Sequence, residues 1–400
     1  MLRLHVIQAE QGDCLLLEWG TDKRPTFLLV DGGPGSTYKN HLKGVLKRRL
    51  GAGRIERVLL SHVDDDHVHG LLDFFSDLKN GGSKIQVGGL WHNTFTEIVG
   101  PKVVDGFVSL VGRGFPPGDT TYLVTRDRDI RQGDTLTHLA ADLAIPINQE
   151  LGQQAVFCLD DLPKPIVING ITLRVLGPRK KNLERLRVAW EKFLAEQNKN
   201  LDLGITPRDS DASVPNLSSI VLLVEAQGKT ILLTGDGRSD HLLQGLRKTG
   251  LLKPGKTFHV DVLKLPHHGS ARNASPEFFR LVTADTYIIS ANGMYNNPDL
   301  ETLEWIAQAA KDQGRKVDIL LTNQSGKTSR SGIDALKQKI DVFLAKFPPD
   351  EFGFRWICMP DDGHAMTLDL FPPVGSPAVV FDLPKKTGGR KKAPQVEPAP

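Results

Sequence analysis

The stretch that decides the fold is LLSHVDDDHVHGLL, residues 59–72. Asp64, Asp65 and Asp66 stand together between His62 and His67, and His69 follows. Adjacent carboxylates repel one another, so each needs water or a cation close by. The apolar run RVLLSH ahead of them reads as a strand, and HVHGLLDFFSDLKN behind them reads as a helix beginning near His67. The acidic segment therefore falls where a strand ends and a helix starts, a usual place for a site in a layered α/β protein. One reading is a solvated acidic turn whose carboxylates suit a helix N-terminus. The other is a seat for something strongly positive.

Working outward, the first 31 residues read as three strands, LRLHVIQ, DCLLLEW and TFLLVDGG, and a helix follows at about 37–50. IQVGGLWHN reads as one further strand. The stretch 96–160 is broken by Pro and Gly and holds one helix, DTLTHLAADLA. Asn169-Gly170 between two apolar runs is a strong hairpin signal. A charged amphipathic helix, RKKNLERLRVAWEKFLAEQNKN, leads into a turn-rich loop, and a second hairpin turns at about Ala226–Lys229. Beyond it, helices and strands alternate, with FRWICMP and AMTLDL as closing strands. The pattern repeats loosely over 1–95 and 165–295, which predicts two sheets stacked face to face with helices outside. The expected unit is one domain over 1–376, with insertions near 96–160 and 178–215. Residues 377–400, basic and rich in Pro and Gly, are expected to be a disordered tail.

Bulk numbers narrow the functional classes. The chain has 400 residues, and its 50 basic and 47 acidic side chains leave a net charge of +3. That balance gives no general attraction to nucleic acid or to an anionic membrane. The three cysteines, Cys14, Cys158 and Cys358, are far apart, so neither a disulfide framework nor a CxxC metal knuckle is expected. No apolar run reaches the ~20 residues of a bilayer crossing. The N-terminal residues lack a signal-peptide pattern. The expectation is a cytoplasmic protein without a membrane partner; protein partners and oligomeric state are not legible.

Three separate stretches share one feature, an apolar strand that ends in potential metal ligands: LLSHVDDDH, ILLTGDG and LKLPHHGS. Imidazole nitrogens and carboxylate oxygens bind zinc and similar ions at ~2.0–2.2 Å. Two such ions can activate water and clamp a phosphoryl or carbonyl oxygen. Bound cations would also remove the repulsion among the aspartates.

His62-x-Asp64-x-Asp66-His67 resembles the HxHxDH signature of the metallo-β-lactamase fold, in the HxDxDH variant found in the ComEC-like proteins of bacterial DNA uptake. Gln11-Gly12-Asp13, the LVDGG around Asp31, Asn216-Leu-Ser-Ser, LLTGD, LKLPHHGS and YIISANG follow in the same order. The resemblance covers about residues 1–300, with weaker echoes to about 370. It implies a four-layer αββα sandwich and a metal-dependent hydrolase using a metal-bridging hydroxide. By the same resemblance, His62 and Asp64 would hold one ion, Asp66 and His67 a second, and Asp236 would bridge them. One or both of His267 and His268 would complete the set. Asp31 would support the ligands from behind, with His92 and Asn216 in the vicinity. Asp66, Asp236 and His69 are the catalytic candidates, His69 for the leaving-group proton.

The sequence also departs from that pattern. Asp64 stands where many relatives of the fold have His, and the harder oxygen donor favours manganese or magnesium, with zinc still possible. His69 replaces a common glycine, and Asn296-Asn297-Pro298 stands where the competence proteins carry Gly-His-Pro. A separate third histidine between the signature and Asp236 has no clear counterpart. The leading substrate is a phosphodiester, which makes the chain a nuclease or a nucleotide phosphodiesterase. The rivals are a small-molecule ester, lactone or thioester hydrolase on the same fold, and a non-catalytic interaction protein stabilised by its metals. Asp65 is expected to face water.

Overall fold

The computed structural model describes residues 1–112, 121–152, 155–156, 165–202, 218–326 and 334–384. The first half holds strands β1 (Leu2–Ile7), β2 (Leu15–Thr21), β3 (Arg24–Val30), β4 (Arg54–Ile55), β5 (Arg57–Leu59), β6 (Gln86–Val87) and β7 (Leu90–Trp91). The rest holds β8 (Ile166–Ile168), β9 (Ile171–Gly177), β10 (Val221–Ala226), β11 (Lys229–Leu233), β12 (Phe258–Lys264), β13 (Val282–Ile289), β14 (Val317–Leu321), β15 (Phe354–Cys358), β16 (Ala365–Asp369) and β17 (Val379–Asp382). One sheet of seven strands has the order β17-β16-β1-β2-β3-β5-β7. A second, of eight, runs from β15 back to β8 in unbroken sequence order.

Period-two alternation explains the stacking. In β10, Leu222 and Val224 point to the layer between the sheets, where they meet Leu2, Leu4, Val6, Leu15 and Leu17 of the other sheet. Val221 and Leu223 of the same strand point the opposite way, toward Leu242, Leu246, Phe278 and Phe279 on helices. In β3, Leu28 and Val30 face inward and Phe27 and Leu29 face out. Strands buried on both faces must be apolar on both, and these are. The helices that cover them repeat apolar residues every three or four positions. Leu71, Phe74 and Phe75 of the helix Asp65–Lys79 and Leu136 and Ala140 of Thr121–Asp142 cover the first sheet. Leu303, Ile306 and Ala307 of Leu300–Asp312 cover the second. The result is the expected αββα sandwich.

Three expectations need correction. IQVGGLWHN is two short strands in different sheets: β6 pairs with β4 outside the main sheets, whereas β7 pairs with β5 inside the first. Gly88 and Gly89 separate them, and apolar alternation alone does not reveal the break. The stretch 96–160 holds a further helix, Pro101–Gly112, and the helix expected over DTLTHLAADLA starts further back, at Thr121, through the charged run RDRDIRQGD that breaks its apolar periodicity. Val379–Asp382, inside the stretch assigned to the tail, pairs antiparallel with β16 at the edge of the first sheet. Its VVFD sequence has the β-branched and aromatic residues that suit an edge pairing. Among the described residues no helix is long and apolar enough to cross a membrane.

Candidate metal centre

The chain remains extended beyond β5, and Asp64 (φ −63°, ψ 145°) is the N-cap of the helix Asp65–Lys79. Residues 62 and 64 therefore share a side, as alternate residues of an extended chain do. Asp65 and Asp66 occupy the helix's first turn, where its dipole favours carboxylates. The helix thus starts two residues before His67, and half of the signature belongs to it. Gly12 explains the Gln-Gly-Asp stretch: a Cβ there would lie 1.9 Å from the Asp66 carbonyl oxygen, so only glycine lets this loop rest on the ligand turn.

The other ligands come from the second sheet. Asp236 follows β11, and His267 and His268 follow β12. Both histidines are left-handed, with φ of 46° and 54°. Left-handed backbone is uncommon for residues with a Cβ and is retained where the surroundings enforce it. Here the His267 N–H donates to the Gly235 carbonyl at 3.1 Å, and the Ser270 N–H donates to the His267 carbonyl at 2.9 Å. The two sheets meet where the Ile220 N–H donates to the Ser61 carbonyl at 2.9 Å.

All these donors converge on Asp236. Its Oδ2 lies 3.6 Å from His62 Nε2 and 3.6 Å from His267 Nε2. Its Oδ1 lies 3.4 Å from His67 Nε2 and 3.5 Å from His268 Nε2. Asp64 Oδ2 is 3.7 Å from His62 Nε2, and Asp66 Oδ2 is 3.6 Å from His268 Nε2. Donors bound at ~2.0–2.2 Å around a tetrahedral ion are about 3.3–3.6 Å apart. Nε2 of His62, His67 and His268 and Oδ1 of Asp236 are buried and have no hydrogen-bond partner among the described residues. Buried polar atoms are rarely left so, and cations at the centre of each donor group would satisfy them. The donor set fits two ions.

The ring nitrogens that face away from the centre are occupied. Asp31 accepts from the Ser61 N–H and Ser61 hydroxyl at 2.7 Å each and from His67 Nδ1 at 2.9 Å. With its proton given to Asp31, the Ser61 hydroxyl accepts from His62 Nδ1 at 3.0 Å. His268 Nδ1 donates to the Ser290 carbonyl at 3.0 Å. His267 Nδ1 pairs with Asn273 Oδ1 at 2.8 Å, and the same amide donates to the Asp236 carbonyl at 2.9 Å. These bonds fix the tautomers and leave each Nε2 lone pair facing inward, as metal-binding histidines require.

Electrostatics agree. Burial alone would raise the Asp236 carboxyl, but the imidazoles of His267, His268, His67 and His62 outweigh it and hold it well below the usual carboxylate range. Burial, with Asp236 and Asp64 adding to it, pushes the Asp66 carboxyl up against the pull of His67 and His268. Burial disfavours charge on His67, yet Asp236 and Asp31 hold its imidazole well above the ordinary value. Carboxylates that hold protons there would equally hold divalent cations, so the two compete.

Several residues stand differently from expectation. Asp65 is the most exposed of the three aspartates, as expected, but it is also engaged: its Oδ1 accepts from Gln132 Nε2 at 2.8 Å and pairs with His69 Nδ1 at 3.0 Å. Gln132 lies on Thr121–Asp142, in the first insertion, so Asp65 fastens that insertion to the ligand helix. His69 is thereby paired with Asp65, and its side chain is 40% exposed. His92 is fully buried, its backbone is bonded to Asn148, and its ring lies against the Gly133 backbone. Asn216 lies outside the described residues. Asp13 and Lys264, absent from the expected set, form a fully buried ion pair at 2.7 Å, with Asp13 Oδ1 3.5 Å from His268 Nδ1. Asp13 is held far below the usual carboxylate range, Lys264 and His268 overcoming the burial. A lysine between the apolar Leu263 and Leu265 at a strand end was the available signal. Ser61, Asn273 and Ser290 carried none, being ordinary turn residues in sequence.

Histidine and aspartate clusters at the strand ends of an αββα sandwich are the donors that a metal-dependent hydrolase requires. Residues 8–142 match the model of the metallo-beta-lactamase superfamily. A stretch of 127 residues is 32% identical to ComE operon protein 3 of Bacillus subtilis (strain 168), over 30% of this chain but only 14% of that protein. The chain thus matches a small part of that relative's length. Among solved structures, CmlA, a diiron β-hydroxylase from Streptomyces venezuelae, is similar at a TM-score of 0.41 and 13% identity, over 92% of this chain and 54% of that one. Zn(2+)-bound PqqB from Methylobacterium extorquens is similar at 0.38 and 12%, over 92% and 100%.

Proposed function

We propose that the chain is a two-metal phosphodiester hydrolase, a nuclease or nucleotide phosphodiesterase. The division of Asp236 carries the two-metal part of this reading, one carboxylate oxygen facing His62 and His267 and the other His67 and His268; the phosphodiester part follows the resemblance to the DNA-uptake proteins. His62, Asp64, His267 and Asp236 Oδ2 would hold one ion. Asp66, His67, His268 and Asp236 Oδ1 would hold the other. His267 thereby takes the place of the separate third histidine that the sequence lacks. Zinc or manganese suits this mixture of imidazole and carboxylate, and Asp64 tilts it toward the harder ion, with magnesium also compatible. Such ions supply Lewis acidity and a lowered pKa for water. The chain's own part is orientation: Asp31, Ser61, Asn273 and Ser290 hold the four rings before any substrate arrives. His69 keeps its place as the candidate for the leaving-group proton, its Nδ1 paired with Asp65.

The test loads the purified chain with manganese, zinc or magnesium in turn. Bis(p-nitrophenyl) phosphate, single- and double-stranded DNA, RNA and a lactone are then offered. Metal-dependent phosphodiester cleavage, abolished by Asp66→Ala, is expected. Cleavage of the lactone alone would overturn the substrate class, and bound metal with no cleavage of any substrate would favour a structural role for the ions.

A further inference from the structure

Tyr295 is 80% exposed, among the most exposed large side chains of the described chain. It lies in the loop after β13, with φ 54° and ψ 22°, and Asn296 beside it has φ 67°. A bulky aromatic in left-handed backbone is an outlier that persists only where its surroundings hold it.

They do so from two sides. Toward the candidate metal centre, Asn297 Nδ2 donates to the His267 carbonyl at 3.4 Å and the Asp299 N–H donates to the Gly269 carbonyl at 3.1 Å. The Ala271 N–H donates to Asp299 Oδ2 at 2.8 Å. Behind the loop, Lys339 Nζ of the helix Ala335–Lys346 donates to Asn296 Oδ1 at 3.0 Å, to the Pro298 carbonyl at 2.7 Å and to the Asn296 carbonyl. The loop is therefore sewn to the turn that carries His267 and His268. Its own aromatic ring is left out: Tyr295 has neither a hydrogen bond from its side chain nor a ring partner among the described residues. Apolar side chains scattered on a surface need no explanation. One raised on strained backbone, with its anchors on a ligand turn, does.

We propose that Tyr295 is a stacking platform for an unpaired nucleobase next to the phosphate at the metal centre. This rests on the phosphodiester reading above and makes it narrower: the preferred substrate is a single-stranded or otherwise unpaired nucleotide chain. Every base has a π-face, so the platform discriminates base from no base, not one base from another. A paired base, already stacked in its duplex, gains less.

The experiment uses the full chain, metal-loaded, as wild type and as Tyr295→Ala, Tyr295→Phe and Tyr295→Trp. Two single strands of equal length are compared, an oligothymidylate and one with abasic sugars throughout. Tyr295→Ala should raise KM on the base-bearing strand by about fivefold or more while leaving kcat, and both constants on the abasic strand, unchanged. Tyr295→Phe and Tyr295→Trp should restore the wild-type KM, and Tm should not move. Equal losses on both strands would show that Tyr295 acts through its loop, and no loss on either would show no stacking; each overturns the proposal while the phosphodiester reading stands. A wild type that cleaves neither strand overturns both.

Discussion

The two ligand-bearing turns, 62–67 on the first sheet and 267–268 on the second, solve one problem by opposite means. The first spreads four donors over an extended segment and a helical first turn, so spacing alone aims alternate side chains together. The second carries two donors on adjacent residues, which in an ordinary strand would point to opposite faces. Left-handed backbone at both positions instead sends His267 to one oxygen of Asp236 and His268 to the other. A regular pattern can be read in one dimension. A bent backbone cannot, because the His267 N–H is held by the Gly235 carbonyl, which is remote in sequence.

Removing the residue where the two turns meet should have the largest effect. Asp236→Ala is expected to lose both ions and more than about 100-fold of metal affinity, beyond the 10–100-fold typical of an outer-shell change. Elemental analysis of protein from metal-replete medium reads this, and a full complement in the variant would break the comparison. Next come paired substitutions. His62→Ala combined with His267→Ala should cost little more metal than either alone, because both belong to one centre. His62→Ala with His268→Ala should empty two centres, and additive losses in the first pair would contradict the division of Asp236.

Within the first turn, neighbouring aspartates should behave differently. Asp65→Ala should keep the metal and lower stability by about 1 kcal/mol, the worth of its lost hydrogen bonds, as read by denaturant unfolding. A loss of metal would place Asp65 among the ligands. The last prediction concerns stability against pH and His92, which is not among the donors. Burial lowers its imidazole from 6.5 to about 4. The unfolded chain therefore takes up a proton that the folded one refuses, so stability is full above pH 6.5 and falls as pH drops toward 4. His92→Leu should flatten that part of the Tm–pH curve, and an unchanged slope would assign acid sensitivity to other groups.

Much of the site was legible because its chemistry is local. His62, Asp64, Asp66 and His67 stand out by alternation, by carboxylates that need water or a cation close by, and by their resemblance to the HxDxDH signature. Asp31 and Asp236 stand where apolar strands stop, and the structure brings all six together. The partner of Asp65 is not legible in the sequence because Gln132 lies 67 residues away. The Asp13–Lys264 pair escaped for the same reason, each half looking ordinary until the two are buried against each other. The strand Val379–Asp382 was mistaken for tail because an edge strand is defined by the neighbour it pairs with.

The sequence by itself determined the sandwich, through strands apolar on both faces, and the kind of chemistry, through donors placed at strand ends. Tertiary structure alone decided which donors share a centre, how an adjacent histidine pair is divided and where the insertion is fastened. Periodicity and residue type act over a few neighbouring residues. Coordination depends on distances of a few ångströms between segments far apart in the chain, and only folding sets those.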